Sequence, residues 1–294
     1  MSLNIIRECP VDTWDAPPGE AVSEGWEEVL ESGQVIYLPR LAFPLSEAER
    51  PFLSPAWSDH RAKNISLRGE GGELRGARGT PAELERLRAL VARFAASATR
   101  LVDRLLPRYR GFLRRGQTSF RPHPAAGRQT SWRKDDSRLH VDSFPSNPTG
   151  GARLLRVFSN VNPHGQARIW RVGEPFERLA ERFLPKTTRP FPGSAWVLER
   201  LGITKSRRTE YDHLMGQLHD LAKADTDYQA LSPQQSFAFA AGSTWIVYSD
   251  QVQHAVMSGA LLLEQTFYLD VAQMVRPDTA PLKVLERLTG RPLR

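Results

Sequence analysis

From Gln117 onward the chain is cut into short runs rich in β-branched and aromatic residues, each bounded by Gly, Pro, Asn or Ser: "QTSFRP", "RLHVDSF", "ARLLRVFSNVN", "ARIWRVG", "SFAFAA", "STWIVYS" and "LLLEQTFYLDV". Runs this short suit strands, which need only about five residues, better than helices, which need about ten or more with a period near 3.6. Several of them separated by turn residues predict an antiparallel sandwich or barrel. Helices are expected to interrupt the series at about 174–184 ("EPFERLAERFL") and 209–224 ("TEYDHLMGQLHDLAKA"). Neither an internal repeat nor a phosphate-binding loop motif is found.

The N-terminal third has a different texture. "GWEEVLESGQVIYLPRL" reads as a short helix, a stop at Gly33 and a strand around Val35–Leu38. Residues 67–79, "LRGEGGELRGARG", are glycine-rich and charged and predict a flexible loop. A strong helix start follows: Thr80 as N-cap, Pro81 at the first position and Glu83 closing a T-x-x-E capping box. That helix should run from about 81 to 106, with Leu84, Leu87, Val91, Phe94, Ala98, Leu101, Val102 and Leu105 on its apolar stripe, until Pro107 ends it. We therefore expect an N-terminal α/β segment over 1–110, its long helix packed on a core over 111–294, the two forming one integrated domain.

A hydrophobic content of 40% with 25% charged residues fits a globular chain of 294 residues. Cys9 is the one cysteine, so no disulfide framework within the chain is possible. The start, "MSLNIIRECPVDTWD", has no apolar segment or small-residue cleavage site, and no stretch approaches a membrane span, so a cytoplasmic location is expected. The net charge of +7 favours anionic partners. Arginine is dense in one region: Arg100, Arg104, Arg108, Arg110, Arg114, Arg115, Arg121, Arg128, Arg133 and Arg138. Solvated faces account for these, as does an anion-facing surface. Nucleic acid is not expected, because no recognised binding motif accompanies the charge.

Within "RLHVDSF", His140 and Asp142 alternate with apolar Leu139 and Val141. On a strand the two polar residues share one face. An imidazole and a carboxylate side by side are two of the three ligands in a 2-His-1-carboxylate facial triad. The motif alone is weak: seven histidines and 14 aspartates in 294 residues produce about one third of an H-x-D by chance. A half-exposed strand explains the pair as well. A third ligand has to come from further along. His164 lies in a turn composition, His213 and His219 fall on different faces of a helix, His123 is flanked by prolines and His60 is far upstream. His254 follows a strand and a short polar loop, 112 residues after Asp142, a gap that closes in space if the two segments pair in a barrel. A core histidine remains the alternative.

The stretches "RLHVDSFPSNPTGGARLLRVFSNVNPHGQARIWRVGEPFERLAERFLP", "EYDHLMGQLHDLAKADTDYQ" and "GSTWIVYSDQVQHAVMSG" resemble the Kdo hydroxylases, iron(II)- and 2-oxoglutarate-dependent oxygenases of Gram-negative bacteria acting on 3-deoxy-D-manno-oct-2-ulosonic acid (Kdo). The resemblance is clear over about 115–275 and looser before it. It implies an α+β fold with a double-stranded β-helix (jelly-roll, cupin-like) core and flanking helices. It implies His140, Asp142 and His254 as catalytic iron ligands, with Fe(II), 2-oxoglutarate and O2 as cofactor and cosubstrates. It also implies hydroxylation of Kdo at C3 in the lipopolysaccharide inner core. The partners expected are then a Kdo-containing lipid A precursor and, peripherally, the anionic cytoplasmic surface of the inner membrane, which clustered arginines would favour. Hydroxylating an unactivated C–H bond needs metal and O2 chemistry, which agrees with the reading.

One departure from the wider superfamily stands out. Relatives often hold the distal carboxylate of 2-oxoglutarate with an arginine about ten residues after the second histidine. Here no lysine or arginine follows His254 before Arg276, 22 positions on. A buried carboxylate needs a charge-assisted partner. Arg153, Arg156 and Arg168 are candidates, and Arg156 shares strand parity with Asn160. Arg156, Arg168 and Asn160 are the expected cosubstrate-binding residues. The same chemistry on another substrate, or a non-catalytic jelly-roll module binding an anionic sugar or nucleic acid, are the alternative functions.

Overall fold

The computed structural model describes residues 4–15, 25–69, 72–127 and 130–294. The first third supplies β1 (Ile6–Glu8), α1 (Trp26–Glu31), β2 (Val35–Leu38), β3 (Ile65–Leu67), β4 (Leu74–Arg75) and α2 (Pro81–Leu105). Then come β5 (Arg114–Arg121), β6 (Arg153–Asn160), β7 (Arg168–Gly173), α3 (Phe176–Phe183), α4 (Ser194–Arg200), α5 (Glu210–Ala224) and α6 (Thr226–Leu231). The chain closes with β8 (Gln234–Phe239), β9 (Thr244–Tyr248), β10 (His254–Ser258), β11 (Leu262–Leu269) and α7 (Pro281–Thr289). Among the described residues no helix is long and apolar enough to cross a membrane.

Two sheets face each other as a jelly roll. The larger runs β1-β2-β9-β6-β11-β5-β3-β4 and the smaller β10-β7-β8. From β6 onward the chain moves between them, and every ladder is antiparallel except β1 with β2. Alternation along each strand produces two cores. Leu155, Val157, Ile246, Leu263 and Phe267 point outward from the large sheet onto Leu87, Val91, Phe94 and Leu101 of α2. Phe158, Trp245, Val247 and Leu262 point inward, against Trp170, Val172, Phe239 and Val256 of the small sheet. The inner core is largely aromatic: Phe239 stacks on Trp245 with centroids 4.1 Å apart, and Trp170 meets Trp245 edge-on at 5.6 Å. Each such pair adds about 0.5–1.5 kcal/mol beyond its buried area.

The capping boxes form as their residue types require. Glu83 Oε2 accepts from Thr80 N at 2.8 Å while Thr80 Oγ1 accepts from Glu83 N at 3.4 Å, and Thr209 with Asp212 repeats the motif at the start of α5. Residue 110 does not separate two cores. β2 pairs with β9 and β3 with β5, so the N-terminal strands extend both ends of the large sheet. The expected flexible loop is instead partly a hairpin, Leu67 lying opposite Leu74 and Ser66 opposite Arg75. Residues 70–71 of that stretch lie outside the described residues. Gly76 serves a close approach here: its φ is +77° and a Cβ would fall 2.5 Å from Asn64 O.

Several of the arginines between 100 and 138 have local partners. Arg100 pairs with Asp15 at 3.4 Å and Arg104 donates to Thr13 O at 3.2 Å, while Arg133 pairs with Asp220 at 2.9 Å beside α5. Arg121 turns inward to Glu264, and Arg128 lies outside the described residues.

Candidate metal centre

His140 is the one residue of "RLHVDSF" in a ladder position, and its partner is His254. His140 N donates to His254 O at 3.1 Å and His254 N to His140 O at 2.8 Å. That reciprocal pair extends the small sheet beyond β10. On its other side the segment has a side chain in place of a strand: Gln229 accepts from Leu139 N at 2.7 Å and donates to Leu139 O at 3.0 Å. Asp142 N donates to Ser249 O at 2.8 Å. The alternation expected of a strand survives although the strand does not continue. Leu139 and Val141 are fully buried in the core, and His140 and Asp142 face the other way.

His140, Asp142 and His254 therefore converge, one potential ligand atom from each lying within 4.8 Å of the others. His140 Nε2 is 3.9 Å from Asp142 Oδ1, and His254 Nε2 is 3.9 Å from Asp142 Oδ2. His140 Nδ1 donates to Arg138 O at 2.7 Å and His254 Nδ1 to Val252 O at 2.9 Å. A carbonyl only accepts, so each Nδ1 carries the proton and each Nε2 presents a lone pair. Burial keeps both imidazoles below their ordinary pKa, His140 well below, so both are neutral. Burial alone would raise Asp142, but the Arg156 guanidinium beside it holds its carboxyl well below the usual range. Two lone pairs thus face a carboxylate with no proton to share. That donor set fits a metal cation and repels itself without one. Trp170 stacks on the His254 ring at 4.9 Å and fixes its plane.

A charged network surrounds the triad. Arg156 Nη1 lies 2.7 Å from Asp142 Oδ2, yet neither that oxygen nor Arg156 Nε makes an aligned hydrogen bond. Arg156 Nε is also 3.3 Å from Glu264 Oε1, and Arg121 closes on the other Glu264 oxygen at 2.5 Å. Burial opposes the charge on Glu264, but Arg121 and then Arg156 overcome it and hold its carboxyl below the ordinary range.

The expected cosubstrate residues meet different fates. Arg156 reaches the triad. Arg168 is buried on β7, Nη1 donating to Gly259 O at 2.7 Å. Asn160 shares the parity of Arg156 on an unbroken strand, but its amide is spent at the strand's end: Nδ2 donates to Gln166 O at 2.9 Å and Phe239 O at 3.2 Å, and Oδ1 accepts from Asn162 N at 3.1 Å. These bonds make Asn160 an anchor for the loop ends beside it. Arg153 points to the opposite face. The sequence reading missed Arg121 and Glu264 as site residues. A carboxylate inside the apolar run "LLLEQTF" was the available signal, since a buried charge there demands a guanidinium opposite. His219, set aside from the sequence, brings its ring to 5.4 Å from that of His140 but hydrogen-bonds Asp220.

A family model described as 3-deoxy-D-manno-oct-2-ulosonic acid (Kdo) hydroxylase matches residues 13–292. The chain is similar to the Kdo hydroxylase KdoO, a non-heme Fe(II) alpha-ketoglutarate-dependent dioxygenase, in its crystal structure with alpha-ketoglutarate and Fe(III). The TM-score is 0.94 at 46% identity, covering 98% of this chain and 97% of that one. KdoO structures with cobalt(II), and with succinate and Fe(III), match over the same shares with TM-scores of 0.95 and 0.94 at 46% and 45% identity. A search of curated proteins found no match. The likeness runs through the N-terminal strands and flanking helices as well as the barrel, and on that footing the chain belongs to the Kdo hydroxylase family.

Proposed function

We propose that this protein hydroxylates Kdo at C3, in the lipopolysaccharide inner core or a Kdo-lipid A precursor, with iron(II), 2-oxoglutarate and O2. The observation that carries the reading is the pair of Nε2 lone pairs converging on ionised Asp142 in a chain of this family. His140, Asp142 and His254 would hold the iron, which with 2-oxoglutarate and O2 supplies the redox chemistry that C–H hydroxylation requires. Arg156 keeps Asp142 ionised, and Trp170 shields His254 from water.

Arg156 and Arg168 are the proposed partners of the distal carboxylate of 2-oxoglutarate, joined by Arg121. In support, Arg156 and Arg121 already flank Glu264, while Arg168 shares strand parity with Trp170 on the inner face. With a divalent ion present these groups sum to an excess of positive charge, which a dianionic 2-oxoacid satisfies. The proposed setting is the cytoplasm, where iron(II) and 2-oxoglutarate are available, with peripheral attachment at the cytoplasmic leaflet of the inner membrane. The test is succinate release with and without Kdo-lipid A, together with the mass of the sugar. Kdo-stimulated succinate release with a gain of one oxygen is expected. Release indifferent to Kdo-lipid A, with no mass gain, would send the chemistry to another substrate.

A further inference from the structure

Of the seven exposed large hydrophobic side chains among the described residues, five fall within one short stretch: Phe191 (85% exposed), Trp196, Val197, Leu201 and Ile203. They sit on α4 and the turns at its two ends, and α4 buries none of its residues. An apolar group this concentrated marks an interaction surface. The same stretch is basic. Residues 187–208 carry five arginines and lysines against the single acid Glu199. Arg189, Arg200, Lys205 and Arg207 are exposed, and none of the four pairs with a carboxylate among the described residues.

The patch is tied to the metal centre. Lys205 N donates to Ser146 O at 3.0 Å, and Arg208 Nε donates to Pro145 O at 3.1 Å. Pro145 and Ser146 belong to the loop that leaves Asp142. Whatever the patch rests on is therefore held beside the loop that follows Asp142.

We infer that the 187–208 segment docks the enzyme onto an anionic lipid bilayer, Trp196 and its apolar neighbours entering the headgroup region while the basic residues meet lipid phosphates. The inference rests on the proposed lipid-anchored substrate and names the surface that would reach it. Apolar area and cationic charge together are what interfacial binding uses, and an indole is at home at that depth. A second copy of the chain is a poorer occupant, because two surfaces each carrying a net charge of +4 over 187–208 would oppose one another. The arginines of 100–138 contribute less, since Arg100, Arg104 and Arg133 are already engaged.

The test is co-sedimentation of the full chain with vesicles of phosphatidylethanolamine and phosphatidylglycerol, against phosphatidylcholine alone. Binding should favour the anionic vesicles and weaken with salt. Phe191→Ser with Trp196→Ser should lower the partition coefficient about tenfold or more. Arg200→Gln and Arg207→Gln should each lower it about fivefold. Arg100→Gln with Arg104→Gln should leave it nearly unchanged. Trp196→Phe should remove the fluorescence blue shift seen on binding. All patch variants should keep wild-type turnover on a water-soluble Kdo fragment and lose it selectively on vesicle-borne Kdo-lipid A. Equal vesicle binding by wild type and patch variants would overturn the inference. So would a dimer in sedimentation velocity that Trp196→Ser dissolves, because the surface would then belong to a second copy. Patch-dependent vesicle binding by an enzyme that turns over neither Kdo substrate would uphold the docking surface and defeat the substrate reading alone.

Discussion

Two arginines three residues apart on β6 serve two regions of the molecule. Arg153 faces the outer core, where Nε donates to Asp250 at 2.8 Å, Nη2 donates to Gln251 at 2.6 Å, and the guanidinium lies 3.8 Å from the centre of the Tyr248 ring. Arg156 faces the jelly-roll interior, 2.7 Å from Asp142 and 3.3 Å from Glu264, with its Nε lacking an aligned hydrogen bond. Their carboxylates respond in opposite ways. Burial pushes Asp250 above the ordinary range in spite of Arg153, whereas Arg156 pulls Asp142 far below it. The first region is a closed structural tie that costs nearly as much to bury as its attraction returns. The second holds a carboxylate ionised with lone pairs still to offer, as a metal ligand must.

The largest expected effect separates the regions outright. His140→Ala or His254→Ala should abolish turnover while the circular dichroism stays native, because the two apolar cores hold the fold. Ferrous ion, or manganese as a redox-quiet substitute, at about 100 times its dissociation constant should stabilise the wild type by about 2.7 kcal/mol. Neither variant should show that stabilisation in thermal melts. A metal-induced shift that persists in both would place the ion elsewhere.

Next in size is the structural tie. Arg153→Leu should cost about 3–5 kcal/mol by leaving Asp250 buried and unpaired, with no change in the KM for 2-oxoglutarate. Replacing Asp250 by Leu as well should recover part of that loss in urea titrations. Arg156→Leu should be told apart by the KM for 2-oxoglutarate, which it should raise about 10- to 150-fold, the worth of a charge-assisted bond of about 1.5–3 kcal/mol. If Arg153→Leu were the variant that raised this KM, the assignment of the two arginines would be inverted. The smallest effect is at Asn160. Asn160→Ala should cost about 1–3 kcal/mol of stability through its lost loop bonds while the KM stays at wild type.

Much of the site was legible because alternation is a local property. Leu139 and Val141 belong to the core wherever the segment lies, so His140 and Asp142 had to share the other side. The same rule says less at Asn160. Parity states which face a side chain takes but not what surrounds it, and four residues along β6 separate a place beside Asp142 from a place at the loop ends of Gln166 and Phe239. Arg121 and Glu264 escaped for a related reason. Each charge alone resembles surface, and only the pairing of β5 with β11 brings Ser119 opposite Glu264, with Arg121 two residues along, and makes the charges one network.

Residue types alone determined the capped helices, the short-strand texture and the H-x-D geometry, since each depends on neighbours a few positions away. The tertiary structure decided that His254 comes to His140 across a gap of 114 residues, that Gln229 stands in for a missing strand beside Leu139, and that the apolar stretch around α4 stays uncovered. Those outcomes depend on which strands become neighbours when the barrel closes. Closure is governed by the sum of many buried contacts rather than by any one of them, so no local pattern announces it.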